Sequence, residues 1–180
     1  MVIRDQKSLL LAQQSEEEDT IYETIREVIK GCTNNEVDLA TMPITDLSWL
    51  FLQMKISSAG AEQKISTKCD NKECGESIIM VHDLNGATVD VSKANLKVEL
   101  TPEIGIIFRW PTIMDYVSAF KTKDATLKYI FSITDQVYDA NQVYTKESFT
   151  EEEFEEWMED LNDNQVKKIR DFMLAIPELK

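Results

Sequence analysis

Cys69 and Cys74 flank a four-residue gap in CDNKECGESI, residues 69–78, with Gly75 directly after the second thiol. Two close thiols in a turn have the donor type of half a zinc clip, and a tetrahedral site needs four ligands. Cys32 and His82 would complete a set within the chain. A second chain, or a segment outside these residues, would also supply the missing pair. The alternative is two reduced thiols in a turn, because one pair spaced more loosely than C-x-x-C is a weak signal. Zinc is therefore expected only if a second Cys pair is supplied.

Little else in the sequence has catalytic potential. There are three cysteines, an odd number that rules out a complete disulfide framework, and one histidine. On a strand, His82 would share a face with Met80 and Leu84, a structural position. No glycine-rich phosphate loop occurs. Carboxylates are plentiful, but they cluster where an exposed helix would leave them ordinary acids. These residues read as those of a non-enzymatic protein.

The charge is −14, and it is uneven. Residues 135–164 hold eleven acids against Lys146 alone, so most of the excess sits in one segment. Phosphate backbones would be repelled, which argues against nucleic-acid binding. An acidic run is either a solvated helix face or a docking surface for a basic partner. For docking, the candidate residues are Glu151, Glu152, Glu155, Glu156, Glu159 and Asp160. Trp157 and Trp49 would be anchors if they lie outside the core.

At 180 residues with 43% apolar content, the chain can bury a core. No stretch approaches the roughly 20 apolar residues that span a bilayer. The run Leu9-Leu10-Leu11-Ala12 is too short for a signal segment, so the expected compartment is cytosolic.

The elements follow from periodicity. Residues 6–14 are ambiguous between helix and strand. Thr20 and Glu23 suggest a capping box opening a helix over 20–30 with Ile21, Ile25, Val28 and Ile29 on one face, ended by Gly31. A second helix from Pro43 is apolar on most sides and is expected to be buried, either as a central core helix or against a partner. KISTKC, SIIMVHDL, ATVDV, LKVEL and IGIIFRW predict one antiparallel sheet of four or five strands, with Asn85-Gly86 as a hairpin turn and the Cys pair in the first turn. Helices are expected over 115–121, over 124–137, from the Thr150/Glu153 capping box, and from Val166 to Ile176. The fold class is α+β, mainly α. It has a helical part over 1–60, a small antiparallel sheet over 61–110 and an acidic helical part over 111–180, in one compact domain.

The order of particular phrases adds a resemblance. QKSLLLAQQS, a helix ending in IKGC, VDLATMPITDLSWLFLQMKISSAG, the STKCDNKECG turn and VHDLNGATVDVS follow one another. LKVELTPEIGIIFRWPT, VYDANQVY, an acidic helix and FMLAIPELK complete the series. In that order they resemble the T-even-type bacteriophage baseplate hub assembly family. Trp49 departs from the family's usual Tyr, and Met54-Lys55 from its usual Leu-Arg. The resemblance also implies a second Cys pair beyond Lys180, as the other half of the clip.

The resemblance implies a late bacteriophage protein of the central baseplate hub, either a virion subunit or a tail assembly chaperone. It would work in the host cytoplasm during assembly, with the virion baseplate as a further location. Its partners would be other hub and tail proteins, with homo-oligomerisation left open. An acidic DNA mimic, a decoy for a basic host protein, is the alternative from charge alone. A lytic enzyme using Glu and Asp is a third reading, but nothing places two carboxylates across a cleft.

Overall fold

The computed structural model describes residues 3–15, 17–34, 36–69, 74–119 and 125–180. The fold is α+β and mainly α, as expected, but its strands form two sheets. The chain divides into two compact units. One comprises Met1–Leu39, Asp46–Val89 and Leu179–Lys180, and the other Ala40–Thr45 and Asp90–Glu178.

In the first unit, α1 (Ile3–Ser15) resolves the ambiguous opening segment as a helix and packs along α2 (Glu18–Cys32). The apolar stripe of α2 is as expected, with Val28 and Ile29 buried. Its ends are not. The helix starts at Glu18, and Thr20 Oγ1 donates to Glu17 Oε2 at 2.9 Å from inside the first turn. Glu23 is held instead by Arg26, at 3.3 Å, so the expected capping box does not form. Gly31 stays helical, and the left-handed position falls on Asn34, at φ 51°. Helix α3 (Ile44–Ala59) is apolar on most sides, yet only Leu47 on it is buried and Trp49 is 41% exposed. This corrects the expectation of a buried central helix.

The expected single sheet is split. Strands β1 (Glu62–Lys68) and β2 (Ser77–Asp83) make a two-stranded antiparallel hairpin in the first unit. Asn85-Gly86 makes no hairpin turn. It lies in a single 3-10 turn, Leu84–Gly86, where the Asp83 carboxylate accepts from the Asn85 N–H. Of ATVDV, only Val89 pairs, in an isolated bridge to Leu179. Thr88 and Lys180 exchange backbone hydrogen bonds beside it.

The second unit holds the main core. Strands β3 (Lys97–Glu99), β4 (Gly105–Phe108), β5 (Thr134–Tyr138) and β6 (Val143–Thr145) form an antiparallel sheet in that order. The helices are α4 (Ile113–Ala119), α5 (Ala125–Ile133), α6 (Glu151–Glu159) and α7 (Asp163–Leu174). Residues 120–124, expected as helix ends, lie outside the described residues. Val98, Ile106 and Phe108 of the sheet bury against Ile130 and Ile133 of α5, Phe154 and Met158 of α6, and Ile169 and Phe172 of α7. The rings of Phe108 and Phe172 stack at 4.2 Å.

The helix expected over 124–137 ends at Ile133 and becomes β5 without a loop. Thr134 Oγ1 donates to the Ile130 carbonyl at 2.8 Å, and the Arg109 N–H takes the Ile133 carbonyl at 2.8 Å. Thr134, Val137 and Tyr138 are strand formers, and pairing with β4 outweighs the helical spacing.

A buried polar cluster fixes the start of α4. Arg109 holds Asp115 through both nitrogens, at 2.8 and 2.6 Å, and the Thr112 N–H and hydroxyl donate to Asp115 Oδ2 at 2.8 and 2.7 Å. Burial alone would raise the Asp115 pKa, but these donors outweigh it and hold it below the ordinary carboxylate range. A depressed folded-state pKa gives stability that is complete above the unfolded value, about 4, and is lost as the pH falls through the folded one. Asp115→Asn is therefore expected to cost about 2 kcal/mol at pH 7. The gap to the wild type should narrow below about pH 4. Urea unfolding at pH 7 and pH 3 checks this, and a gap independent of pH would contradict it.

Gly105 is a close-approach position. A Cβ there would stand 2.6 Å from the Val98 carbonyl oxygen and would overlap the Tyr138 side chain. Gly105→Ala should destabilise by about 2 kcal/mol through overpacking. Gly86→Ala, with open space around it, should leave the urea midpoint unchanged. Equal midpoints for both variants would contradict the assignment.

Candidate partner-binding surfaces

The hairpin presents its thiols and apolar residues as follows. Its register pairs Lys68 with Ser77, and the Cys69 N–H donates to the Glu76 carbonyl at 2.9 Å, one rung further on. Cys69 and Cys74 thus flank the turn, and Gly75 takes φ 61°, a conformation that suits glycine. Residues 70–73 between the thiols lie outside the described residues. Cys69 is half-buried, Cys74 is exposed, and both are free, as is Cys32 at the end of α2.

His82 is not brought to the Cys pair. It stands opposite Gln63, five residues along β2 from Ser77, about 17 Å at ordinary strand rise. Among the described residues no three His, Cys, Asp or Glu side chains are grouped to hold a metal ion. Cys69 and Cys74 offer two of the four donors that a structural zinc requires. That does not make a closed site.

Alternation along the hairpin puts Ile65, Met80 and Ile78 on one face and Ile79 and Val81 on the other. All five are exposed, Ile79 by 67%. Neither face of this sheet is covered.

The second surface surrounds α6. Its capping box forms as the sequence predicts: Glu153 N–H donates to Thr150 Oγ1, and Thr150 N–H to Glu153 Oε2. Phe154 and Met158 are buried. Of the candidate acids, Glu151 is paired with Lys128 of α5 at 3.4 Å and Glu155 is half-buried. Glu152, Glu156, Glu159 and Asp160 are exposed. Trp157 is half-buried against the core, whereas Trp49 lies exposed in the other unit. The candidate anchors therefore belong to different units.

Beside α6 lies a groove of about 310 Å³. Trp157, Phe149 and Phe154 supply aromatic surface, Val137 and Tyr144 come from the β5–β6 hairpin, and Asp139 and Glu153 bring carboxylates. Asp139 Oδ1 accepts from the Asn141 and Gln142 N–H groups and Oδ2 from the Tyr144 hydroxyl, which hold its pKa below the ordinary value. Behind this surface, Lys146 Nζ and Arg109 donate to carbonyls at the C-terminus of α5. Burial, then the Arg109 charge, lowers the Lys146 pKa.

The sequence reading placed residues 134–137 in a helix and so missed the β5–β6 side of the groove. VYDANQVY carried the signal: two strand-forming pairs around an Asp-Ala-Asn-Gln turn.

Among the described residues no helix is long and apolar enough to cross a membrane. No curated protein and no solved structure matches the chain. A family match covers the whole of it, residues 1–180, and by that match the chain belongs to the T4 bacteriophage base plate protein family.

Proposed function

We propose that the chain is a non-enzymatic component or assembly chaperone of the baseplate's central hub, acting through contacts with other hub and tail proteins. The observation that carries this reading is the β1–β2 hairpin, whose five large apolar side chains are exposed on two faces. Large apolar side chains left exposed together on one element mark an interaction site. Family membership supplies the class of partner. Assembly would take place in the host cytoplasm, with the virion baseplate as the destination of a retained subunit.

The decoy reading has less support. Phe154 and Met158 make α6 an ordinary amphipathic helix, and Glu151 is engaged with Lys128 rather than offered to a partner.

Co-expression with the other baseplate proteins of the same phage should yield a complex that co-purifies at low salt. Ile79→Lys should abolish it while shifting the urea stability of the chain by no more than about 0.5 kcal/mol, as expected of an exposed site. No complex with the wild type, or an undiminished one with Ile79→Lys, would contradict the proposal.

A further inference from the structure

The groove beside α6 has walls and a charge that select one kind of occupant. Trp157 and Phe149 each pack on the buried ring of Phe154, with centroids 5.7 and 5.9 Å away, so the aromatic surface is held by the core. Among the described residues neither Asp139 nor Glu153 has a Lys or Arg partner, unlike Asp115 and Glu151. Glu153 uses Oε2 for the helix cap and leaves Oε1 open. The sequence contains no basic residue between Lys146 and Lys167, so this stretch is strongly negative, and the cations beside it are engaged elsewhere: Lys128 with Glu151, and Lys97 with Glu99 over the Tyr138 ring. At about 310 Å³ the groove is small for a folded element and suits one or two side chains.

An apolar, aromatic slot with unpaired carboxylates fits a cation on an apolar stem. Arginine meets both demands. Its planar guanidinium stacks on aromatic faces, and its fork of N–H donors can reach two acceptors, whereas lysine offers a compact, strongly hydrated charge. We infer that the groove receives an arginine side chain from a basic segment of a partner protein, lying against Trp157 and neutralised by Asp139 and Glu153. The exposed Glu156 and Glu159 would steer that segment in and make its association sensitive to salt. This rests on the reading that the chain works by docking on other proteins, and it names the chemistry of one contact.

The test is calorimetric titration of the full chain at low salt with an alanine-based decapeptide carrying two arginines, and with its citrulline counterpart. Glu153→Gln keeps the capping box and removes the charge. Asp139→Asn keeps a turn-capping oxygen. Each should weaken the arginine peptide about tenfold. Glu152→Gln, an equal loss of charge one residue away, should change binding less than about twofold. The citrulline peptide should bind at least about tenfold more weakly than the arginine one. Equal losses for Glu152→Gln and Glu153→Gln, equal binding of the two peptides, or no binding of the arginine peptide would each overturn the inference. The same variants in the co-expression experiment separate the two claims. A wild-type complex that Glu153→Gln and Asp139→Asn leave intact sinks the groove alone, and no wild-type complex sinks the docking reading itself.

Discussion

A two-stranded sheet has two faces and two edges, and it cannot enclose any of them by itself. Strand β2 sharpens the difficulty, because Ile78, Ile79, Met80 and Val81 are consecutive. Alternation sends them to opposite sides, so covering one face leaves the other wet. An isolated hairpin of this kind is marginally stable in water. Buried strands of a larger sheet carry such continuous apolar runs, with layers on both sides. Strand β2 therefore has the composition of an interior strand in an exposed position, whereas β1, EQKISTK, is apolar only at Ile65. A protein whose work is to be built into an assembly has use for such an element.

The second unit shows what the same chemistry looks like when it is complete. Its sheet brings Val98, Ile106 and Phe108 to one side, and α5, α6 and α7 cover them. The aromatic groove is built on that finished core. Phe154 is 2% exposed, and the residues around it are fixed by a capping box on α6 and an Asp139-centred turn between β5 and β6. Side chains held in this way lose little freedom on binding, which favours recognition through few contacts. Asp115 is bound on both oxygens by Arg109 and Thr112, and Lys146 is turned onto the end of α5, so the buried ionisable groups serve the fold.

Local signals were legible where local energy decides. The α6 cap and the apolar stripes of α2 and α6 follow from spacing over a few residues. Asn162 with Gln165 makes a second capping box at α7 that the same rule would have found. The misses lie where long-range pairing overrides local preference. Ile130 and Ile133 carry a helical spacing that runs on into Thr134, yet hydrogen bonds to β4 turn Thr134–Tyr138 into strand. Asn85-Gly86 has hairpin chemistry but no second strand to close on. The exposure of α3 and of the hairpin was not legible either, because an apolar residue reads the same whether its cover is its own chain or another.

On the docking function proposed above, this baseplate-family chain is completed by its partners, through surfaces it leaves open when alone. Amide hydrogen exchange tests that most directly, in the free chain and in the complex with the other baseplate proteins. The β1–β2 amides should exchange much faster than those of β4 in the free chain and slow by at least about tenfold in the complex. Hairpin amides already as protected as β4 in the free chain, or equally fast in both states, would contradict it.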